Sequence, residues 1–420
     1  MNTIYAEILT IGDEILYGQT LDTNAHWLSS EMDKIGIRVL RRTTIGDNAD
    51  HIKKALSNAE ADVDLILITG GLGPTKDDLT KPVMAEYFNS DLQLDPDALK
   101  EVESFFKSKG RELTDLNRKQ AELPDKCTRL PNRMGTAPGM WFESNDKIFV
   151  SLPGVPHEMK ILITEQVIPR LRKFFQTPVI YHKLINHVGI GESWLSELIE
   201  EWEQSLPANM RLAYLPDPGI VKLRLTATGN DLNVIKMEVE KQVDELKIIS
   251  GQYIFSFDRI SLPEVIGEQL VEKNLSISTA ESCSGGYLAH LFTSVAGSSR
   301  YFKGSVVAYD NEIKTNQLDV SPEDLIIHGA VSETVVITMA QNVRSKFKTS
   351  IGVAISGIAG PDGGTPGKPV GTVWMAYADQ EQTITRKFSL GSDRSLNIHL
   401  SAIYSLNLIR QSLAEINGKE

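Results

Sequence analysis

The stretch STAESCSGG, Ser278–Gly286, places one serine, Ser282, between a glutamate and a cysteine, and follows it with Ser284, Gly285 and Gly286. A strand-like run precedes it and a helical pattern follows, so Ser282 falls on a glycine-permitted turn at a helix mouth. The expectation is an exposed hydroxyl, with backbone N–H groups from Ser284 to Gly286 facing a negative charge. That charge can be an oxyanion or a bound phosphate. The simpler alternative is a helix N-cap. No histidine is marked as its base, since His290 lies inside the following helix and His328 and His399 sit outside any motif. SVVAYDNEIK offers another base: a strand ending at Tyr309, with Lys314 five residues later. A lysine desolvated in a pocket accepts a proton, directly or through a phenol. Taken alone, Tyr309 reads as strand core and Lys314 as a solvated surface residue, and without further context these readings prevail.

A second group of residues lies near the N-terminus. GDEI (12–15), GDN (46–48) and TGGLGPTKDDLT (69–80) each follow a predicted strand. Loops at the carboxyl ends of parallel strands converge on one crevice. Gly70, Gly71 and Gly73 let backbone amides approach an anion, and a helix starting near Thr80 adds its positive end. Asp77 and Asp78 are candidate ligands for a divalent cation that neutralises a diphosphate, with Asp47 or Glu14 completing the shell. Helix caps and solvated turns are the alternative for each carboxylate. LPGVPHEM (152–159) reads as a rigid turn entering a helix, with His157 and Glu158 either facing the crevice or structural.

The elements that must position these residues follow from hydrophobic period and caps. TIYAEILTIG, IRVLRRTTIG and VDLILITGG read as strands. DTNAHWLSSEMDKIG, capped by Asp22 or Thr23 and stopped by Gly36, and ADHIKKALSNAE read as helices. This alternation predicts a doubly wound parallel sheet over residues 1–175. Residues 176–257 read as βαββαβ, a small α+β unit. Its order resembles RNA-binding KH-type modules, but it is acidic and lacks a GxxG flanked by basic residues. A spacer or dimerisation element is expected there. Residues 258–420 return to α/β, with Pro263 in the first turn of a new helix.

With 420 residues, 41% of them hydrophobic, the chain suffices for two to three domains of a soluble enzyme. A net charge of −12 argues against a broad nucleic-acid surface. Cys127 and Cys283, the only cysteines, fit a reducing cytoplasm better than a disulfide framework. No basic leader and no apolar run of membrane-spanning length is present, so a cytoplasmic, membrane-free location is expected.

TGGLGPTKDDLT with LPGVPHEM resembles the molybdopterin-binding fold of the MoaB/MogA and gephyrin type. Together with GDEIL and GTAPG (135–139), it resembles the first domain of the CinA family. That resemblance implies metal-dependent ADP-ribose pyrophosphatase activity using Mg²⁺ or a transition metal, with K⁺ as a further candidate. Asp78 matches the family's functional aspartate, and Asp47 a second. TAESCSGG, GSSRYFKGSVVAYDNEIK, GAVSE and SGIAGPDGGTPGKPVGTVW, in this order, resemble the nicotinamide-nucleotide amidase domain that forms the C-terminal half of CinA proteins. The resemblance implies hydrolysis of nicotinamide mononucleotide to nicotinate mononucleotide and ammonia without a cofactor. Ser282 would be the nucleophile and Tyr309 with Lys314 its activating pair. For the 5′-phosphate, Gly357 and Gly360 in SGIAGPDGG, Arg300 and Arg394 are candidates, against plain surface roles. A homodimer acting on small nucleotides is expected. The competing expectations are a front domain that binds pterin or nucleotide without turnover, and a competence-related regulatory binding protein.

Overall fold

A computed structural model describes residues 3–417. The chain forms two compact units, Met1–Tyr181 with Thr228–Lys236, and His182–Ala227 with Met237–Glu420.

In the first unit, six strands run in the order Ile37–Ile45, Ile4–Ile11, Leu65–Thr69, Lys147–Leu152, Gly139–Ser144 and Thr128–Leu130. The first four are mutually parallel and the last two antiparallel. Successive side chains leave opposite faces of a strand. Ala6, Ile8, Leu65 and Leu67 therefore enter one core, and Leu9, Ile11, Ile66 and Ile68 the other. LILIT is buried throughout because helices cover both faces. The helix Thr23–Lys34 begins where Asp22 Oδ1 accepts from the Ala25 amide at 2.8 Å, and Gly36 leaves it at φ +80°. The hairpin Gly139–Ser144/Lys147–Leu152 is absent from the sequence reading. Its two-residue turn, Asn145–Asp146, holds both residues at positive φ, 52° and 60°. The closing helical segment runs Pro156–Leu162, a π-helical turn Ile163–Val167, then Ile168–Phe175. Pro169, which lacks an N–H, sits just beyond that wider turn.

The strands Val179–Val188, Met210–Asp217, Ile220–Gly229 and Ile254–Phe257 form a four-stranded sheet in the order second, third, first, fourth. The helix Leu232–Ser250 lies before its last strand.

The C-terminal sheet has five strands, in the order Phe302–Val307, Ile277–Glu281, Ile351–Gly357, Thr372–Ala378 and Thr383–Ser389. The first three are parallel and the others antiparallel. Ala280, Ala354, Ala376 and Ala378 all face the helix Glu333–Phe347, and these small side chains let it lie close. Gly352 shows how close: a Cβ there would stand 2.1 Å from the Ala340 carbonyl. The other face packs Ile277, Val353, Ile355 and Met375 against the helix Arg394–Asn417. Val188 shares that core, with Ile220 and Phe255 against it, and Arg410 donates to the Gln252 carbonyl at 2.9 Å. The middle sheet is thus seated on the last helix by apolar packing as well as by chain connection. Among the described residues no helix is long and apolar enough to cross a membrane.

The hairpin turn gives a stability prediction. Asp146→Gly should raise front-unit stability by about 0.5–1 kcal/mol, because glycine occupies the left-handed region without a Cβ penalty. The midpoint of urea unfolding is the readout, and a lowered midpoint would mean that the Asp146 side chain itself supports the turn.

Candidate functional site

The C-terminal site grows from the end of the strand Ile277–Glu281. Glu281 is fully buried. Its Oε2 accepts from Ser284 Oγ at 2.8 Å, Gly286 N at 3.1 Å and Leu288 N at 3.0 Å, and its Oε1 from Ala289 N at 2.8 Å. The positive end of the helix Tyr287–Thr293 is therefore occupied by the protein's own carboxylate. Gly285 and Gly286, at φ 61° and 95°, supply the left-handed bends that wrap the chain around it. The Gly285 amide donates to the Ser282 carbonyl at 3.1 Å.

This corrects the sequence expectation for Gly285 and Gly286, whose amides serve the turn. The donors left for an external anion are the amides of Cys283 and Ser284, which make no hydrogen bond among the described residues. Ser282 is also less open than expected, at 8% exposed. Its amide donates to the Ile355 carbonyl at 2.9 Å, tying the serine to the neighbouring strand. Gly357, two residues on, leaves room for the turn: a Cβ there would meet Cys283 Sγ at 3.0 Å.

Lys314 is 1% exposed. It lies on the helix Asn311–Leu318, whose N-cap is Asp310. Its Nζ folds back to donate to the carbonyls of Ala308 at 2.8 Å and Tyr309 at 3.3 Å. Ala308 in turn donates its amide to the Glu281 carbonyl at 2.8 Å, so the ammonium docks one strand away from the Ser282 turn. Burial lowers the Lys314 pKa from its ordinary value, opposed by the charge of Asp310. Burial also pushes the Cys283 thiol up to about 12, which makes it inert beside Ser282.

Tyr309 reaches Lys314 only through its backbone carbonyl. The strand ends at Val307, and the phenol beyond it is exposed. There it accepts from Arg394 Nη2 at 2.7 Å, while Arg394 Nη1 donates to the Gly360 carbonyl at 2.7 Å. Arg394, Tyr309 and Gly360 thus frame one rim. Gly360, at φ 92°, has no space for a Cβ beside Val370 and Ser392. Arg300 does not join them. Ile277 pairs with Phe302 and Glu281 with Val307, so Arg300 precedes the amino end of its strand, roughly 17 Å of strand from the Ser282 end. It donates only to the nearby Gly297 carbonyl.

The front crevice, 420 Å³, opens at the carboxyl ends of the parallel strands. Gly70, Gly71, Gly73, Asp47, Asp77 and Asp78 all line it, as do Glu14 and Glu158. Gly70 and Gly71 are required by their backbone: Cβ atoms there would fall 2.1 Å from the Ile11 carbonyl and 2.3 Å from Thr80 Oγ1. Asp78 is turned inward. Its Oδ1 accepts from Gly73 N at 2.9 Å, and its Oδ2 from Thr75 N at 2.8 Å and Thr75 Oγ1 at 2.5 Å. It shapes the loop, and the chain itself takes three of its four acceptor positions, which leaves it at most one for a metal.

Asp47 and Asp77 remain. Burial raises the Asp47 pKa, and the nearby Asp13, Glu14 and Asp77 charges raise it further. Asp77 is exposed, its carboxyl held below the usual range by the Thr75 hydroxyl, whose one proton it shares with Asp78, and by its own backbone amide. Among the described residues no three His, Cys, Asp or Glu side chains converge as a metal cage. Two hard carboxylates fit an ion that takes its remaining ligands from substrate phosphates and water, which is how Mg²⁺ is commonly held.

Sequence reasoning missed Glu281, Asn24, Gln120 and Lys81. Lys81 is buried beside the crevice, donating to the carbonyls of Lys119 and Gln120, and its pKa falls to about 8 through desolvation. A lone carboxylate between an apolar strand and a glycine turn was the available signal for Glu281. The other three are joined to the crevice only by the fold.

Glu281→Ala should destabilise the C-terminal domain by on the order of 3 kcal/mol, because two hydroxyls, of Ser284 and Thr279, and three amides lose a buried acceptor. Chemical denaturation checks this, and a change below about 0.5 kcal/mol would mean that the turn holds itself.

Residues 7–173 match the model of a probable molybdopterin binding domain, 182–256 that of the damage-inducible protein CinA KH domain, and 259–413 that of the CinA C-terminal domain. The fold is accordingly a MoaB/MogA-like front domain, a small KH-like module and a CinA C-terminal domain. A CinA-like protein of Cytophaga hutchinsonii is 50% identical, covering 99% of this chain and 100% of its own. One of Flavobacterium psychrophilum is 47% identical, covering 95% and 97%. The solved structure of the protein CinA from Thermoplasma acidophilum is 37% identical, covering 40% of this chain and 99% of that one at a TM-score of 0.37. Likeness sustained at this identity from end to end assigns the chain to the CinA family.

Proposed function

We propose that the chain is a bifunctional pyridine-nucleotide hydrolase. The C-terminal domain deamidates nicotinamide mononucleotide, and the front domain cleaves the diphosphate of ADP-ribose. The observation that carries the first activity is Lys314, a buried lysine of lowered pKa docked beside the Ser282 turn.

In the rear site, Ser282 Oγ attacks the carboxamide carbon and its proton passes to the neutral amine of Lys314. The oxyanion is received by the amides of Cys283 and Ser284. Collapse of the tetrahedral intermediate breaks the C–N bond, and the Lys314 proton leaves with ammonia. Water then repeats the attack on the Ser282 ester, releasing nicotinate mononucleotide. Arg394 holds the Tyr309 ring and the Gly360 loop at the rim, where the mononucleotide phosphate would bind.

In the front site, the amides of Gly71 and Leu72, which carry no hydrogen bond among the described residues, are suited to the diphosphate, with Asp47 and Asp77 at its edge. The Gly70 amide is spent on the Leu152 carbonyl at 3.2 Å and the Gly73 amide on Asp78, which corrects the expectation for those two glycines. Asp47 and Asp77 are the residues that would hold a divalent ion, which would supply neutralisation of the charge on the phosphoryl oxygens. A second reading, nucleotide binding without cleavage, is favoured by the commitment of both Asp78 oxygens to the loop. Assaying ADP-ribose cleavage against added metal separates the two readings.

Ser282→Ala and Lys314→Ala should each lose nearly all ammonia release, since a nucleophile and its base act as one unit. Lys314→Arg should not restore it, because a guanidinium stays protonated. Normal turnover in Ser282→Ala would sink the mechanism. The pH dependence has a definite sign. The amine must be neutral to act, so wild-type turnover should climb as pH rises through the lowered Lys314 pKa and level off above it. A rate that falls over that range would exclude Lys314 as the base.

A further inference from the structure

Two side-chain carbonyls in the front crevice have no partner. Gln120, 3% exposed, donates its Nε2 to Thr136 Oγ1 at 2.8 Å and leaves Oε1 buried and unbonded. Asn24 spends its Nδ2 on Thr69 Oγ1 at 3.1 Å and the Gly154 carbonyl at 2.8 Å. Those two acceptors fix the orientation of the amide, and Asn24 Oδ1 is buried and unbonded as well. Asn24, Gln120, Thr136 and Gly154 all line the same 420 Å³ crevice as the glycine loop. The Asn24 amide cannot swing, because the Gly154 carbonyl only accepts and the Thr69 hydroxyl spends its proton on the Pro153 carbonyl. The Gln120 amide turns on the Thr136 hydroxyl, which can donate or accept, and in the observed rotamer it leaves its carbonyl unbonded. Buried acceptors are ordinarily paired.

We propose that Asn24 and Gln120 are specificity-determining residues that accept hydrogen bonds from the ribose hydroxyls of a nucleotide whose diphosphate lies on the glycine loop. This rests on the nucleotide reading of the front domain given above. The chemistry separates the two halves of the ligand. Phosphate oxygens only accept, so they go to the loop amides and cannot satisfy a carbonyl. The groups that meet Asn24 Oδ1 and Gln120 Oε1 must donate. Asn24 is bonded to Thr69 and Gly154, the residues beside Gly70, and a ribose joined to a diphosphate on the loop carries a vicinal diol that can donate to it. An apolar or phosphate-only ligand would leave both carbonyls unpaired, and the site discriminates against it on that account.

Calorimetric titration of the full chain tests this with three uncleavable probes: the α,β-methylene analogues of ADP-ribose and ADP, and methylenediphosphonate. Asn24→Leu and Gln120→Met should each weaken a ribose-bearing probe about tenfold or more while leaving methylenediphosphonate within about twofold. Loss with the ADP analogue too would assign the adenosine ribose, and loss with the ADP-ribose analogue alone the terminal ribose. One arm needs no variant. Wild-type protein should bind the analogue lacking both hydroxyls of that ribose about tenfold more weakly than its parent. Unchanged affinities, or equal losses for all three probes, would overturn the proposal while leaving nucleotide binding intact. Wild type that binds none of the probes would instead overturn it together with the front-domain reading.

Discussion

The C-terminal site depends on one buried carboxylate. Glu281 gathers the Ser284 hydroxyl and three amides from the start of the next helix, and residues 282–286 bend around it so that these donors are paired. The consequences reach the chemistry. Ser282 is fixed at the strand end by its amide on Ile355, the two glycines are spent on the bend, and the unbonded amides are those of Cys283 and Ser284. The neighbouring strand then returns through Ala308, which binds the Glu281 main chain and presents its own carbonyl to Lys314. Backbone pairing holds Ala308 beside the strand that leads into Ser282, and the lysine bound to Ala308 is buried there.

The front domain repeats this device in another fold. Asp78 collects the amides of Gly73 and Thr75 as Glu281 collects those of Gly286, Leu288 and Ala289. In both, a glycine loop that advertises itself as an anion cradle is first folded around a carboxylate of the chain. What is left over for a ligand is a smaller, more definite set of donors. An internal anion preorganises the loop, so the ligand does not bear the cost of ordering it.

Much of the fold could be read in the sequence where a pattern is local. LILIT is uniformly apolar and is covered on both faces, and Asp22 and Gly36 bracket a helix as capping chemistry requires. Lys314 was legible only as a candidate, because five residues after a strand does not say whether a side chain turns inward. Arg300 was legible and misjudged: a residue preceding a parallel strand lies at its amino end, away from a site built at carboxyl ends. The roles of Asp78 and Tyr309 could not be read, because a carboxylate beside glycines looks the same whether it faces a metal or its own loop, and the partner of the Tyr309 phenol is 85 residues away. Asn24 and Gln120 were hidden for the same reason, being joined to the loop only by the doubly wound topology.

Covalent chemistry at Ser282 is central to the proposed amidase, and mass spectrometry of acid-quenched enzyme during turnover of nicotinamide mononucleotide tests it directly. The account predicts the acyl adduct, nicotinate mononucleotide as an ester, on the peptide that contains Ser282, and its absence from Ser282→Ala. Ammonia release proceeding with no adduct, or with the adduct on Cys283, would contradict it.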